Sequence, residues 1–172
     1  MLAAQVITGP FVRAAMAAAM LAALAACGLT PIRADYRAAE EPSGPSGTSG
    51  IANLAADHAA SMVGRPYAYG GRSPASGFDC SGLVQYSYQR AGLRVPRETT
   101  DLLRYGRRIG ASDLLRGDLI FFDQEGKRAS HVAVYLGNGR FVHAPSTGKS
   151  VRIDNLDRYW QRHIAETRRY AN

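Results

Sequence analysis

Only two cysteines, Cys27 and Cys80, occur in the 172 residues. None of the usual close zinc-ligand pairs is present: there is no C-x2-C, no H-x3-H and no H-E-x-x-H. The familiar zinc motifs are therefore missing. A looser set of Cys80, His131 and His143 with a water remains as an alternative, and no metal or other cofactor is expected. Long apolar runs are also scarce. The longest uncharged stretch of Ala, Met and Leu runs from Ala14 to Ala26, 13 residues against the roughly 20 that a membrane-spanning helix needs. The 21 basic residues exceed the 14 acidic ones, a net charge of +7, but they are scattered (Arg90, Arg94, Arg97, Arg104, Arg107, Arg108) rather than gathered into a run. Without a basic helix or a stacking platform, a nucleic-acid partner is not expected. The excess suits an acidic, carboxylate-rich partner equally well. There are no internal repeats. With 46% apolar and 20% charged residues, the composition is that of a globular chain.

The apolar run at the N-terminus follows Arg13 and has the length of a signal-peptide core. It ends Leu24-Ala25-Ala26-Cys27-Gly28, small residues before a cysteine, which matches the lipoprotein cleavage box. Residues 1–26 thus read as a signal peptide and Cys27 as the lipidated first residue of the mature chain. An ordinary signal peptide, with Cys27 incidental, is the alternative. The expected product is exported and held to a membrane by its lipid. Gly28 after the cysteine points to the periplasmic face of the outer membrane. Residues 27–50 contain Pro31, Pro42, Pro45, Gly44, Gly47 and Gly50 with Ser43, Ser46 and Ser49 between them, and read as a flexible tether of about 25 Å reach. If Cys27 is acylated, Cys80 cannot be in a disulfide, and a lone exported thiol calls for a use.

Residues 51–172 form the expected domain. Ile51, Leu54, Ala55, Ala59 and Met62 recur at helical spacing up to Gly64. His58 on this helix is read as having no role. Residues 65–79 read as loop, Ser81 to Ala91 as a helix stopped by Gly92, and Thr99 to Tyr105 as a short helix. Strands are expected at 118–122, 131–136, 141–144, 151–153 and 164–170. Gly137-Asn138-Gly139 marks a hairpin between two of them. Helices first and an antiparallel sheet of about five to six strands afterwards imply an α+β fold.

The chemistry centres on Asp79-Cys80-Ser81-Gly82. Asp79 suits an N-cap, which sets Cys80 in the first helical turn. Partial positive charge and free N–H groups there favour a thiolate, the reactive form of cysteine. Gly82 is read as leaving room for a substrate backbone. A buried structural cysteine is the plain alternative. A thiol nucleophile needs a base, and His131 and His143 fall on adjacent predicted strands, where they share a face. His163 has no such context.

These residues carry a resemblance. Asp79-Cys80-Ser81-Gly82, Gly117-Asp118-Leu119-Ile120-Phe121-Phe122, Ser130-His131-Val132-Ala133-Val134-Tyr135-Leu136-Gly137 and Phe141-Val142-His143-Ala144 closely resemble the NlpC-type cell-wall peptidase family, in the family's order. The resemblance implies a papain-like core with the nucleophile helix packed on the sheet. It implies Cys80 as nucleophile, His131 as general base and His143 as the residue orienting it. Tyr67, in Pro66-Tyr67 ahead of Gly70-Gly71, becomes a candidate to support the oxyanion or the substrate. The Cys80 backbone N–H is the other donor, and Asp79 and Ser81 are further substrate contacts. The implied activity is hydrolysis of an amide bond in peptidoglycan stem peptides or cross-links, by a monomer. An amidase or acyltransferase on other envelope substrates, or a non-catalytic wall-binding lipoprotein, are the alternatives.

Overall fold

The computed structural model describes residues 48–171. The signal-peptide and Cys27 readings lie outside them. So does all of the expected tether but its last three residues, which already belong to the first helix, α1 (Thr48–Ala60). Among the described residues no helix is long and apolar enough to cross a membrane.

The segment read as loop at 65–79 holds two short antiparallel strands, β1 (Arg72–Ser73) and β2 (Gly77–Phe78). Two-residue strands leave no periodic pattern to find in a sequence. Helix α2 (Cys80–Arg90) follows at once, and α3 (Thr99–Tyr105) has the expected bounds. The main sheet consists of β3 (Arg107–Arg108), β4 (Leu119–Gln124), β5 (Lys127–Gly137), β6 (Arg140–His143), β7 (Arg152–Asn155) and β8 (Ile164–Arg169). A five-residue helix, α4 (Arg158–Arg162), precedes β8. Strand order is β3-β8-β4-β5-β6-β7, and every pairing is antiparallel. The α+β expectation is met, with six strands in the sheet.

The β5–β6 turn shows why the sequence signal was strong. Asn138 and Gly139 both have positive φ, 52° and 67°. A two-residue turn of this hand matches the right-handed twist of the strands it joins, and Asn-Gly reaches it at least cost.

Alternation along β4 and β5 divides the core. Leu119, Phe121, Val132 and Val134 pack with Leu83, Val84 and Tyr88 of α2 and with the alanines of α1. Ile120, Phe122, Ala133 and Phe141 form a second cluster, against which Trp160 of α4 packs. Truncating a fully buried phenylalanine such as Phe121 to alanine costs about 3–5 kcal/mol. Two polar ties lock α2 and β8 to the start of β4. The buried Tyr88 hydroxyl donates to the Gly117 carbonyl at 2.6 Å, and Arg169 donates twice to the buried Asp118 carboxylate, at 2.7 and 2.6 Å.

Candidate active site

Asp79 caps α2. Its backbone is extended, and Oδ1 accepts from the Gly82 N–H at 2.7 Å. Oδ2 accepts from the Gly70 N–H at 2.9 Å and from Arg97 at 2.6 Å. Arg97 also donates to Ser81 Oγ at 2.7 Å. One arginine thus ties the cap to the second helical residue, and the helix start is fixed from three directions. Arg97 was one scattered charge in the sequence. Nothing in its local spacing marked it.

Gly82 has a different use from the one expected. A Cβ there would meet the Gly71 carbonyl oxygen at 2.0 Å. The space beside Gly82 is filled by the protein's own β1 approach, not left for a substrate. Asp79 N donates to that same Gly71 carbonyl at 3.1 Å, which explains why the two backbones must be so close.

Cys80 is the first residue of α2 and a half-buried free thiol. Its N–H is among those that a helix start leaves without an intrahelical partner. The thiol lies within reach of Thr99 Oγ1 at 4.0 Å and of the backbone N–H groups of Ser81 and Val132. These donors favour a thiolate, but burial outweighs them, and the Asp79 charge adds to burial, so the thiol pKa is raised rather than lowered. The helix start lowers the cost of the thiolate without making it the resting form.

The two histidines meet as the predicted strands required. Val134 pairs with Val142 across β5 and β6, and extending that register sets His143 opposite Ala133, two residues from His131 on one face. His131 Nε2 and His143 Nδ1 are 2.8 Å apart. This hydrogen bond has a proton between the nitrogens, where chelation would need a lone pair on each. His143 Nε2 lies 3.2 Å from Asp154 Oδ2, which also accepts from Arg152 Nε and NH2 at 3.1 and 2.8 Å. Sequence reasoning missed Asp154. Its place depends on the β6–β7 register, which no local pattern fixes: His143 lies opposite Arg152, so a residue two along from Arg152 shares the face of His143.

Phe122, Phe141 and Trp160 surround the imidazoles, with Trp160 edge-on to His143 at 5.4 Å. Burial, with the neighbouring His143 adding to it, lowers the His131 pKa to about 3. Burial lowers that of His143 to about 4, against the opposing pull of Asp154. Both rings are neutral at pH 7. His131 has spent Nε2 on His143, so Nδ1 is the nitrogen left to take a proton from a thiol. No hydrogen bond joins His131 to Cys80. The thiol instead meets the N–H of Val132, the next residue along β5. Resting enzymes often leave such contacts loose until substrate closes them.

Tyr67, Asp79, Cys80, Ser81, Arg97 and Thr99 line one cleft of about 310 Å³. The structure therefore gathers every residue expected to contact substrate around the thiol. Tyr67 is held by its backbone, donating to the Lys149 carbonyl at 2.8 Å and bridging to Phe78. Its phenol pKa is raised by burial and by the nearby Cys80 and Asp79, so it stays a hydrogen-bond donor.

This arrangement has relatives. Residues 64–169 match the NlpC/P60 family. The chain belongs to that family. Over 113 residues it is 46% identical to the murein DD-endopeptidase MepH of Escherichia coli, an alignment spanning 63% of this chain and 42% of MepH. It is 40% identical over 104 residues to the bifunctional muramidase/DL-endopeptidase CwlT of Bacillus subtilis, covering 59% of this chain and 31% of CwlT. The crystal structure of an NlpC/P60 family protein from Bacillus cereus superposes with a TM-score of 0.64 at 34% identity, over 70% of this chain and 40% of the other. The chain thus spans less than half the length of each of these relatives, and what it shares with them is the NlpC/P60 domain.

Proposed function

We propose that this NlpC/P60 domain is a cysteine endopeptidase that hydrolyses an amide bond of peptidoglycan stem peptides or their cross-links. The observation that carries the reading is the series Cys80, His131, His143 and Asp154. It is a nucleophile at a helix start beside a buried imidazole pair that ends on a carboxylate. Support for the substrate comes from the relatives named for murein and DL-endopeptidase activity. The basic surface suits a polymer rich in free carboxylates.

Because thiol and imidazole both rest neutral, proton transfer accompanies attack. Cys80 Sγ bonds to the amide carbon as its proton passes to His131 Nδ1, and the carbonyl oxygen takes up negative charge. The Cys80 N–H and the Tyr67 hydroxyl are the donors assigned to that oxygen. The carbon–nitrogen bond then breaks, and His131 returns the proton to the leaving amine. A water attacks the thioester, giving its proton to His131, and the acid leaves as the thiol is re-formed. His143, held by Asp154, keeps the His131 ring oriented with Nδ1 toward the thiol and shares the positive charge that His131 carries between the two transfers.

Incubation of purified wall fragments with the wild type and with Cys80→Ala, followed by mass analysis of the muropeptides, tests the reading. New fragments from the wild type alone are expected. No fragment from the wild type refutes the enzyme, and equal fragments from the variant refute Cys80 as nucleophile.

The lipid anchor is part of the same proposal. Acylated Cys27 would hold the exported domain at the periplasmic face of the outer membrane, where stem peptides lie. Radiolabelled lipid should appear on the wild type and be absent from Cys27→Ala. A variant still processed normally and still associated with membranes would overturn the anchor.

A further inference from the structure

A second cavity, of about 560 Å³, borders the same machinery from the other side. His143 and Trp160 form one wall, the tip of the β4–β5 hairpin at Glu125 another, and Lys149 a third. The two cavities have no lining residue in common, but linked segments border both. Glu125 lines the second cavity and Ser130, on the same hairpin, lines the Cys80 cleft. The loop that carries Lys149 accepts the Tyr67 N–H, and Tyr67 lines the Cys80 cleft.

The direction of the reaction assigns the second cavity. The base that returns a proton to the leaving nitrogen stands on the nitrogen's side of the scissile bond. The acyl half therefore lies toward Tyr67, Asp79 and Arg97. The amine half passes the imidazoles toward His143 and Trp160.

The charges lining this cavity are not equally occupied. Arg152 is held by Asp154, and Asp123 accepts from the Ala129 N–H at 2.8 Å. The side chains of Lys149 and Glu125 have no hydrogen-bond or ion-pair partner among the described residues. An exposed ammonium beside the path of a leaving amine is placed to meet a carboxylate that the amine half carries.

We propose that this cavity is the subsite for the amine half of the substrate, and that Lys149 binds a free carboxylate on the carbon bearing the scissile nitrogen. This rests on the peptidase reading and narrows it. The favoured bond is one whose amine is the α-amine of an amino-acid unit with its carboxyl group unmodified.

Two synthetic cross-linked peptides test this, identical except that the carboxyl group beside the scissile nitrogen is free in one and amidated in the other. The wild type should cleave the free acid with a kcat/KM about tenfold higher, and Lys149→Met should bring that ratio to about one. Circular dichroism of the variant checks its fold, and Lys149→Arg should restore most of the preference. A wild type that cleaves both peptides equally overturns the subsite, as does Lys149→Met retaining the full ratio. A wild type that cleaves neither peptide, nor intact wall fragments, overturns the peptidase reading itself and the subsite with it.

Discussion

Both halves of the site hang on an aspartate that accepts from an arginine, but the two supports work in opposite surroundings. On the helix side Asp79 and Arg97 hold the start of α2 in a polar, hydrogen-bonded frame open to the cleft. On the sheet side Asp154 and Arg152 reach a histidine whose side chain is fully buried among Phe141 and Trp160. Cys80 is positioned by backbone N–H groups at a helix end. The histidine pair is tuned by removal of water. Rigidity is therefore concentrated on the helix side, and the altered proton affinity on the sheet side.

The comparison breaks most completely at its two centres. Cys80→Ala and His131→Ala should each lower turnover of wall fragments by at least about a thousandfold, with the circular dichroism of the folded protein retained. His143→Ala should cost less, roughly a hundredfold, because His131 can still accept a proton when its orienter is gone. A His143 variant as inactive as the His131 variant would mean that the pair acts as one unit. Asp154→Asn should cost roughly tenfold and shift the acid limb of the pH–rate profile, since the carboxylate favours the charged His143. An unchanged profile would make Asp154 a fold contact only.

Acidity should sharpen the contrast further. In the unfolded chain both imidazoles take a proton near 6.5, whereas in the folded chain they are held down to about 3 and about 4. Between these values the unfolded chain binds more protons. The stability they contribute is complete above pH 6.5 and is lost as pH falls toward 4 and then 3, by about 1.4 kcal/mol per pH unit for each histidine. Urea midpoints across this range check the slope, and a His143→Asn variant should show a shallower one.

The smallest effect belongs to the helix side. Asp79→Asn keeps the cap while removing a charge that opposes the thiolate. Alkylation of Cys80 by iodoacetamide at pH 7 should then quicken severalfold, while stability falls by about 1–3 kcal/mol because an amide nitrogen cannot accept from the Gly70 N–H and Arg97. A slower reaction would mean that the capping geometry, not the charge, governs the thiol.

The same contrast decides how far the site was legible in the sequence. Asp79 stands next to Cys80, and a capping aspartate before a helix is a local signal. The histidines were legible because Asn138-Gly139 fixes how β5 pairs with β6. Asp154 and Arg97 act across the fold, and their types are common on any surface, so no local pattern singled them out. The role of Gly82 was misread for a related reason: the atom that fills its space, the Gly71 carbonyl oxygen, arrives from the residue just before a two-residue strand. The direction of the Cys80 shift also escaped the sequence. A helix start is visible in the residues, whereas the depth at which it is buried is a property of everything packed around it.

Trp160 is the only tryptophan in the chain, and its indole stands 5.4 Å from the His143 ring and 6.5 Å from that of His131. A protonated imidazole quenches indole emission far more than a neutral one. The domain therefore carries its own optical probe of the histidine pair. Its fluorescence should dim on acidification as His143 takes up a proton, and should report the charge on that pair while an acyl-enzyme forms and decays, with no label attached.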